Sequence, residues 1–113
     1  MIRLVKIWLV LITLVLCTGS IYGQVKVIHF NADWNSANSV KWIKDLSDCK
    51  TSTIDIVENA KMKDKHEIVI VPTIVIFKDG EEVKRFQADL SFAMAATRNE
   101  VQDFIDELIM SDF

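Results

Sequence analysis

The stretch that most constrains the fold spans residues 25–38, V-K-V-I-H-F-N-A-D-W-N-S-A-N. Residues 25–30 are apolar and rich in β-branched side chains, which predicts a buried β-strand. A polar turn containing Trp34 follows, and the side-chain oxygen of Asn35 or Ser36 can cap a helix. Apolar side chains then recur at Val40, Ile43 and Leu46. The stretch therefore predicts a strand that turns directly into a helix packed on a sheet.

The residues after that helix predict two further strands joined by a crossover. Residues 51–57 alternate as a second strand does, and residues 58–66 suit a short helix or an irregular connection. Residues 68–77 form the most apolar run after the N-terminal segment, but Pro72 cannot donate to a β-ladder, so we expect the strand to begin at Thr73. A proline directly before a strand is also a candidate for a cis peptide bond.

The C-terminal third predicts a hairpin and an amphipathic helix. The pair Asp79-Gly80 suits a tight turn, and residues 82–88 form the returning strand. Residues 89–96 alternate apolar and small side chains, which fits an extra edge strand or a hydrophobic loop. Thr97 begins the capping box T-R-N-E of a final helix. The predicted order is β-α-β-α-β-β-α, an α/β fold with a mixed sheet and flanking helices.

Residues 1–23 have the pattern of a targeting segment and are set apart from the domain at residues 24–113. Arg3 and Lys6 precede an uninterrupted apolar run at residues 7–16. This pattern predicts a signal peptide, although an uncleaved membrane anchor fits too. Lipidation at Cys17 is a third possibility. In each case we expect an exported protein, periplasmic or anchored with its domain facing away from the cytoplasm, and membrane contact only through this segment.

Charge and composition exclude some classes of function. The 113 residues suit a single domain, and the formal net charge of -3 becomes about -5 once residues 1–23 are removed. A nucleic-acid binder needs clustered Lys and Arg side chains, which the sequence lacks. The two histidines, His29 and His66, fit no metal-site spacing. We expect no metal, cofactor or nucleic acid.

Export would leave Cys49 as a single cysteine, because Cys17 lies in the targeting segment. A single cysteine cannot close an internal disulfide. Two interpretations remain for Cys49, a half-buried structural thiol or a reactive thiol that forms a mixed disulfide with a partner.

The element order, together with three local features, resembles the thioredoxin family. The sequence F-N-A-D-W ending at Trp34 resembles that family's strand end and tryptophan, V-P-T at residues 71–73 its cis-proline loop, and F-K-D-G at residues 77–80 its hairpin. The resemblance covers nearly all of residues 25–108 and implies a minimal version of the fold that lacks the family's first strand and helix.

The main departure is the absence of the family's C-x-x-C motif. The matching residues read N-S-A-N, with Asn35 and Asn38 where the resemblance places the two cysteines. Amides cannot attack disulfides, so we expect no dithiol catalysis. The resemblance also places His29 where the family often has a buried acid, and we interpret it as a core histidine hydrogen-bonded to the backbone.

The resemblance implies that a peptide-binding groove survives without the thiols. Trp34 would be its apolar anchor, and the backbone of Val71 and Thr73, beside Pro72, would bind an extended peptide. Further apolar surface would come from Leu90, Phe92 and Met94, unless these three side chains belong to the core. We therefore expect a redox-inactive protein-binding or assembly module of the cell envelope. The alternatives are a redox protein that uses Cys49 and a structural subunit of a membrane-associated envelope complex.

Overall fold

The computed structural model describes residues 24–111, so the predicted targeting segment lies outside the described residues. A four-stranded mixed sheet has the strand order β2-β1-β3-β4. Its strands are β1 (Val25–Asn31), β2 (Lys50–Asp55), β3 (Thr73–Lys78) and β4 (Glu81–Gln87). β1 pairs with β2 in parallel and with β3 antiparallel, and β3 pairs antiparallel with β4. The predicted α/β fold class is confirmed.

β1 lies in the middle of the sheet and buries side chains on both faces. Val25 and Val27 belong to one core cluster, which the C-terminal helix covers. Ile28 and Phe30 belong to a second cluster on the opposite face. The strand is apolar along nearly its whole length because both of its faces are covered.

The connection from β1 to β2 differs from the α-helix that the sequence predicts. It consists of two short 3₁₀ helices, Asp33–Asn38 and Ile43–Asp45, with extended backbone at Ser39 between them. Asn and Ser side chains compete with the backbone for hydrogen bonds and are weak helix formers, so the N-S-A-N-S run does not sustain an α-helix. The predicted apolar face is nevertheless buried, at Val40, Ile43 and Leu46.

The crossover and hairpin follow the prediction closely. A short helix, α1 (Ala60–Lys65), returns the chain to the sheet. β3 begins at Thr73, and the Val71–Pro72 peptide bond is cis, as the sequence predicts. The hairpin turn has positive φ angles of 52° at Asp79 and 86° at Gly80.

Residues between β4 and the last helix form a loop, which decides between the two predicted alternatives. The final helix, α2 (Arg98–Met110), packs Val101 and Ile105 into the first core cluster. Its predicted cap is confirmed, because the Glu100 amide donates to Thr97 Oγ1 at 3.2 Å. Within residues 24–111, no helix has both the length and the apolar character needed to cross a membrane.

Candidate functional site

The candidate site lies where β1 ends and the chain enters the first 3₁₀ helix. Asn35 is 5% exposed there. Its Nδ2 donates to Asn31 Oδ1 at 3.0 Å and to the Phe92 carbonyl at 3.1 Å, with a longer contact of 3.5 Å to the Val71 carbonyl. One amide therefore links the end of β1 to the loop before α2 and to the segment before β3.

Two neighbouring asparagines complete this arrangement. Asn31 Nδ2 donates to the Asn35 carbonyl at 3.2 Å and to Ser39 Oγ at 2.9 Å. Asn38 Nδ2 donates to Asn35 Oδ1 at 3.0 Å. We call Asn31, Asn35 and Asn38 the asparagine cluster. Every fully buried side-chain nitrogen and oxygen within residues 24–111 has a hydrogen-bond partner.

The predicted capping role of Asn35 is wrong. The residue before the first 3₁₀ helix is Ala32, whose side chain makes no capping bond, and the first amide of that helix, at Asp33, donates instead to Asp55 Oδ2 at 3.0 Å. Asn35 lies inside the helix at φ -111° and ψ 22°, and its side chain points into the asparagine cluster. The buried amide joins separate segments of the chain, a role that local sequence rules do not predict.

His29 is a core histidine, as predicted, and it binds the backbone just after the asparagine cluster. It is 3% exposed, and its Nε2 accepts a hydrogen bond from the Val40 amide at 3.3 Å. Nδ1 therefore carries the proton and lies 3.3 Å from Thr53 Oγ1. Burial lowers the pKa of His29 from 6.5 to about 4, so the ring is neutral at pH 7. A neutral ring with both nitrogens engaged provides structure and is not placed to transfer protons.

The loop that contacts Asn35 is closed by Asp89. The Asp89 carboxylate accepts from the Ser91 amide at 2.8 Å, from the Ser91 hydroxyl and from the Ala93 amide at 3.3 Å. These hydrogen bonds, led by that of the Ser91 hydroxyl, lower the pKa of Asp89. Phe92, inside this loop, has a positive φ of 62°. Side-chain and backbone bonds together hold Phe92 in this conformation.

An apolar surface lies above the asparagine cluster. Trp34 is 63% exposed, Leu90 94% and Phe92 40%. The Trp34 and Phe92 rings meet edge to face, with centroids 5.4 Å apart at 86°. Leu90 lies two residues before Phe92 in the same loop, and we call these three residues the apolar ridge. Aromatic pairs in this geometry are attractive beyond their buried area, so the two rings stabilise each other at the surface.

The other residues assigned to the peptide-binding groove lie mostly inside the protein. Val71, Pro72 and Thr73 are buried, and the Pro72 carbonyl accepts from the Ala88 amide at 3.0 Å. Met94 is half-buried and packs against the first core cluster. The structure thus brings Trp34 together with Phe92, whereas these four residues are buried or half-buried and add little exposed surface to the ridge.

Cys49 has the surroundings of a structural thiol. It is half-buried and packs against the first core cluster. Burial, and then the negative charge of Asp48, raise the pKa of Cys49 above its ordinary value. A reactive thiol needs a lowered pKa. Within residues 24–111, no group of three His, Cys, Asp or Glu side chains is arranged to hold a metal ion.

No family model matches the chain, and no curated protein matches it. Among solved structures, it is similar to a single-residue mutant of thioredoxin from Halobacterium salinarum NRC-1, with a TM-score of 0.62 and 24% identity over 76% of this chain and 75% of that one. Reduced Schistosoma mansoni thioredoxin pre-protein is similar with a TM-score of 0.61 and 23% identity, over 77% of this chain and 81% of that one. Fasciola hepatica thioredoxin is similar with a TM-score of 0.57 and 22% identity, over 83% of this chain and 89% of that one.

Proposed function

Because this chain has a thioredoxin-like fold with asparagine where the resemblance places the two cysteines, we propose that it is a redox-inactive protein-binding or assembly module of the cell envelope. The observation that carries the proposal is the hydrogen bond of 3.1 Å from buried Asn35 to the Phe92 carbonyl. This bond ties the apolar ridge to the position expected for a nucleophilic cysteine. The site presents an apolar surface and offers no nucleophile there.

The apolar ridge has the properties of a contact surface for a protein. It combines two aromatic side chains with Leu90, which is 94% exposed. Exposed apolar groups that lie together mark interaction sites more often than scattered ones do. Tryptophan is also enriched among the residues that contribute most to protein interfaces. The partner surface that fits the ridge is itself apolar, such as a hydrophobic segment of an envelope protein.

The alternative of redox chemistry through Cys49 has less support. Cys49 lies immediately before β2, in contact with the core cluster on the face of the sheet covered by α2. Its raised pKa disfavours the thiolate that disulfide exchange requires. The envelope location is part of the proposal and rests on the targeting pattern of residues 1–23.

Site-specific photo-crosslinking in the native cells tests this proposal. A photoreactive amino acid replaces Leu90 in one full-length protein and Val69 in another, because Val69 is also apolar and 86% exposed but lies outside the ridge. We expect one or a few defined adducts from position 90 that survive reducing agent, and none of these from position 69.

The same experiment needs a matched pair of variants. Leu90→Ser removes apolar surface from the ridge, and Val69→Ser removes a similar surface elsewhere. We expect Leu90→Ser to weaken affinity capture of the crosslinked partner by about tenfold, because a buried leucine side chain contributes about 1.5 kcal/mol or more at an apolar contact. Equal capture by both variants, or adducts that reducing agent removes, would refute the binding role of the ridge.

A further inference from the structure

A cavity lies at the start of β1, at the opposite end of the strand from the asparagine cluster. Its volume is about 420 Å³, within the range of about 300 to 1,000 Å³ that small-molecule sites occupy. It opens between the sheet face of the second core cluster and the end of α1. Its apolar lining includes Ile28, Met62 and Phe77 of the second core cluster. The proposed binding function does not use this cavity.

Three lysines from three different elements line the cavity. Lys26 belongs to β1 and Lys50 to β2, where they are paired neighbours in the parallel register. Lys65 is the last residue of α1. No carboxylate is among the lining residues, although the chain has a net charge of -3. Within residues 24–111, none of the three ammonium groups has an ion-pair partner.

The three lysines are exposed, and no carboxylate in the described part of the chain lines the cavity beside them. Like charges side by side on neighbouring strands destabilise a sheet. Lys26 is the only exposed residue of β1, because the other six residues of this strand are buried. The second core cluster extends along the same face, through Ile28 and Phe30. The cavity therefore combines an apolar floor with a rim that is positively charged.

His66 reports the positive field inside this region. Its ring lies between those of Phe30 and Phe77, with centroid distances of 5.5 Å and 5.3 Å. Burial lowers the pKa of His66, and Lys65 lowers it next. Glu82 opposes that change, while Arg85 and Lys26 add to it. The charges of two of the three rim lysines, Lys65 and Lys26, thus act on the His66 side chain that lines the cavity.

We propose that this cavity binds an anionic amphiphile, with its acidic headgroup at Lys26, Lys50 and Lys65 and a short hydrocarbon chain over Ile28, Met62 and Phe77. The headgroup supplies the negative charge that the lysines lack, and the chain covers the apolar floor. A free fatty acid and a membrane lipid both offer this chemistry, so the test separates the two sources.

In the first arm, decanoate is titrated into the full-length protein below its critical micelle concentration. Backbone amide chemical shifts measured by NMR report where it binds. We expect saturable shifts confined to the cavity residues, and none with the neutral analogue decanol. Each exposed lysine contributes about threefold in affinity, so Lys26→Gln combined with Lys50→Gln should weaken decanoate binding by about tenfold. Lys44→Gln, at an exposed lysine of the second 3₁₀ helix, should leave it unchanged.

The second arm measures co-sedimentation with phosphatidylglycerol vesicles and with phosphatidylcholine vesicles. Decanoate binding that requires Lys26 and Lys50 supports the proposal with a free amphiphile as ligand. Binding to phosphatidylglycerol vesicles alone that requires the same two lysines supports it with a membrane lipid as ligand. Equal binding of decanol, binding that the double variant retains, or no binding in either arm would overturn the proposal. None of these outcomes bears on the apolar ridge.

Discussion

Protonation of His29 should destabilise the fold as the pH falls. The ring is buried and neutral, and its Nε2 accepts the Val40 amide, so a proton on Nε2 would break that bond. The pKa of His29 is lowered from 6.5 to about 4 in the folded protein. The unfolded chain therefore binds a proton at a higher pH than the folded chain does. The stability from neutral His29 is present in full above pH 6.5 and is lost as the pH falls toward about 4.

The size of the effect follows from the two pKa values. The free energy of unfolding should fall by about 1.4 kcal/mol by about pH 5.5 and by about 2.5 kcal/mol by about pH 4.5, relative to neutral pH. Urea unfolding, followed by tryptophan fluorescence at several pH values, measures this change. A His29→Gln variant keeps an acceptor for the Val40 amide but cannot titrate.

The His29→Gln variant should therefore show a much weaker pH dependence between about pH 6.5 and 4.5. His66→Gln serves as the matched control, because the His66 ring packs against Phe30 and Phe77 on the opposite face of the sheet, so this variant should keep most of the pH dependence that His29 causes. If the wild-type stability is flat over this range, or if His29→Gln loses stability as steeply as the wild type, the role assigned to His29 is refuted.

Three further predictions concern the site and the thiol. Asn35→Ala should lower the free energy of unfolding by about 2 to 3 kcal/mol in urea titrations, because it leaves buried acceptors unpaired, whereas Asn38→Ala should cost less than about 1 kcal/mol. Asp89→Ala should remove the nuclear Overhauser contact between the Trp34 and Phe92 rings, because the Asp89 carboxylate closes the loop that carries Phe92. In the wild type that contact should persist at neutral pH. It should weaken only as the pH falls below 3.8, because the pKa of Asp89 is lowered. Iodoacetamide should alkylate Cys49 about tenfold more slowly in the native protein than in urea, and equal rates would show an exposed, reactive thiol.

The sheet could be predicted from the sequence because its signals are local. Apolar runs of strand length mark β1 and β3, and a proline cannot enter a ladder, so Pro72 fixes where β3 begins. The pair Asp79-Gly80 accepts the positive φ angles of a hairpin turn. Each of these features depends on the residues themselves and on their immediate neighbours.

The first helix could not be predicted correctly because its apolar spacing is the same for a helix and for two 3₁₀ turns. Val40 and Ile43 are buried in either case. What decides between them is the asparagine cluster, whose bonds join residues 31 and 92 through Asn35. The tertiary bond to the Phe92 carbonyl spans 57 residues, and no local pattern indicates it.

The sequence predicted that the residues of the candidate site lie near one another, but it did not predict the hydrogen bonds that join them. The motif resemblance placed Trp34, Asn35 and Phe92 in one region, where the structure finds all three. The spacing of Asn35 and Asn38 was the available signal for part of the cluster, since side chains three residues apart can meet in a helical segment, whereas Asn31 lies at the end of β1. Asp89 followed by Ser91 similarly signals a side-chain turn.

We expect the apolar ridge, and not the Cys49 thiol, to hold the partner. The most direct measurement is affinity capture of the full-length protein from its native cells after amine crosslinking, under reducing conditions, with Trp34→Ala and Cys49→Ala in parallel. We expect Cys49→Ala to retain the same defined partners as the wild type and Trp34→Ala to lose them. Loss of those partners from Cys49→Ala, or their retention by Trp34→Ala, would contradict the claim.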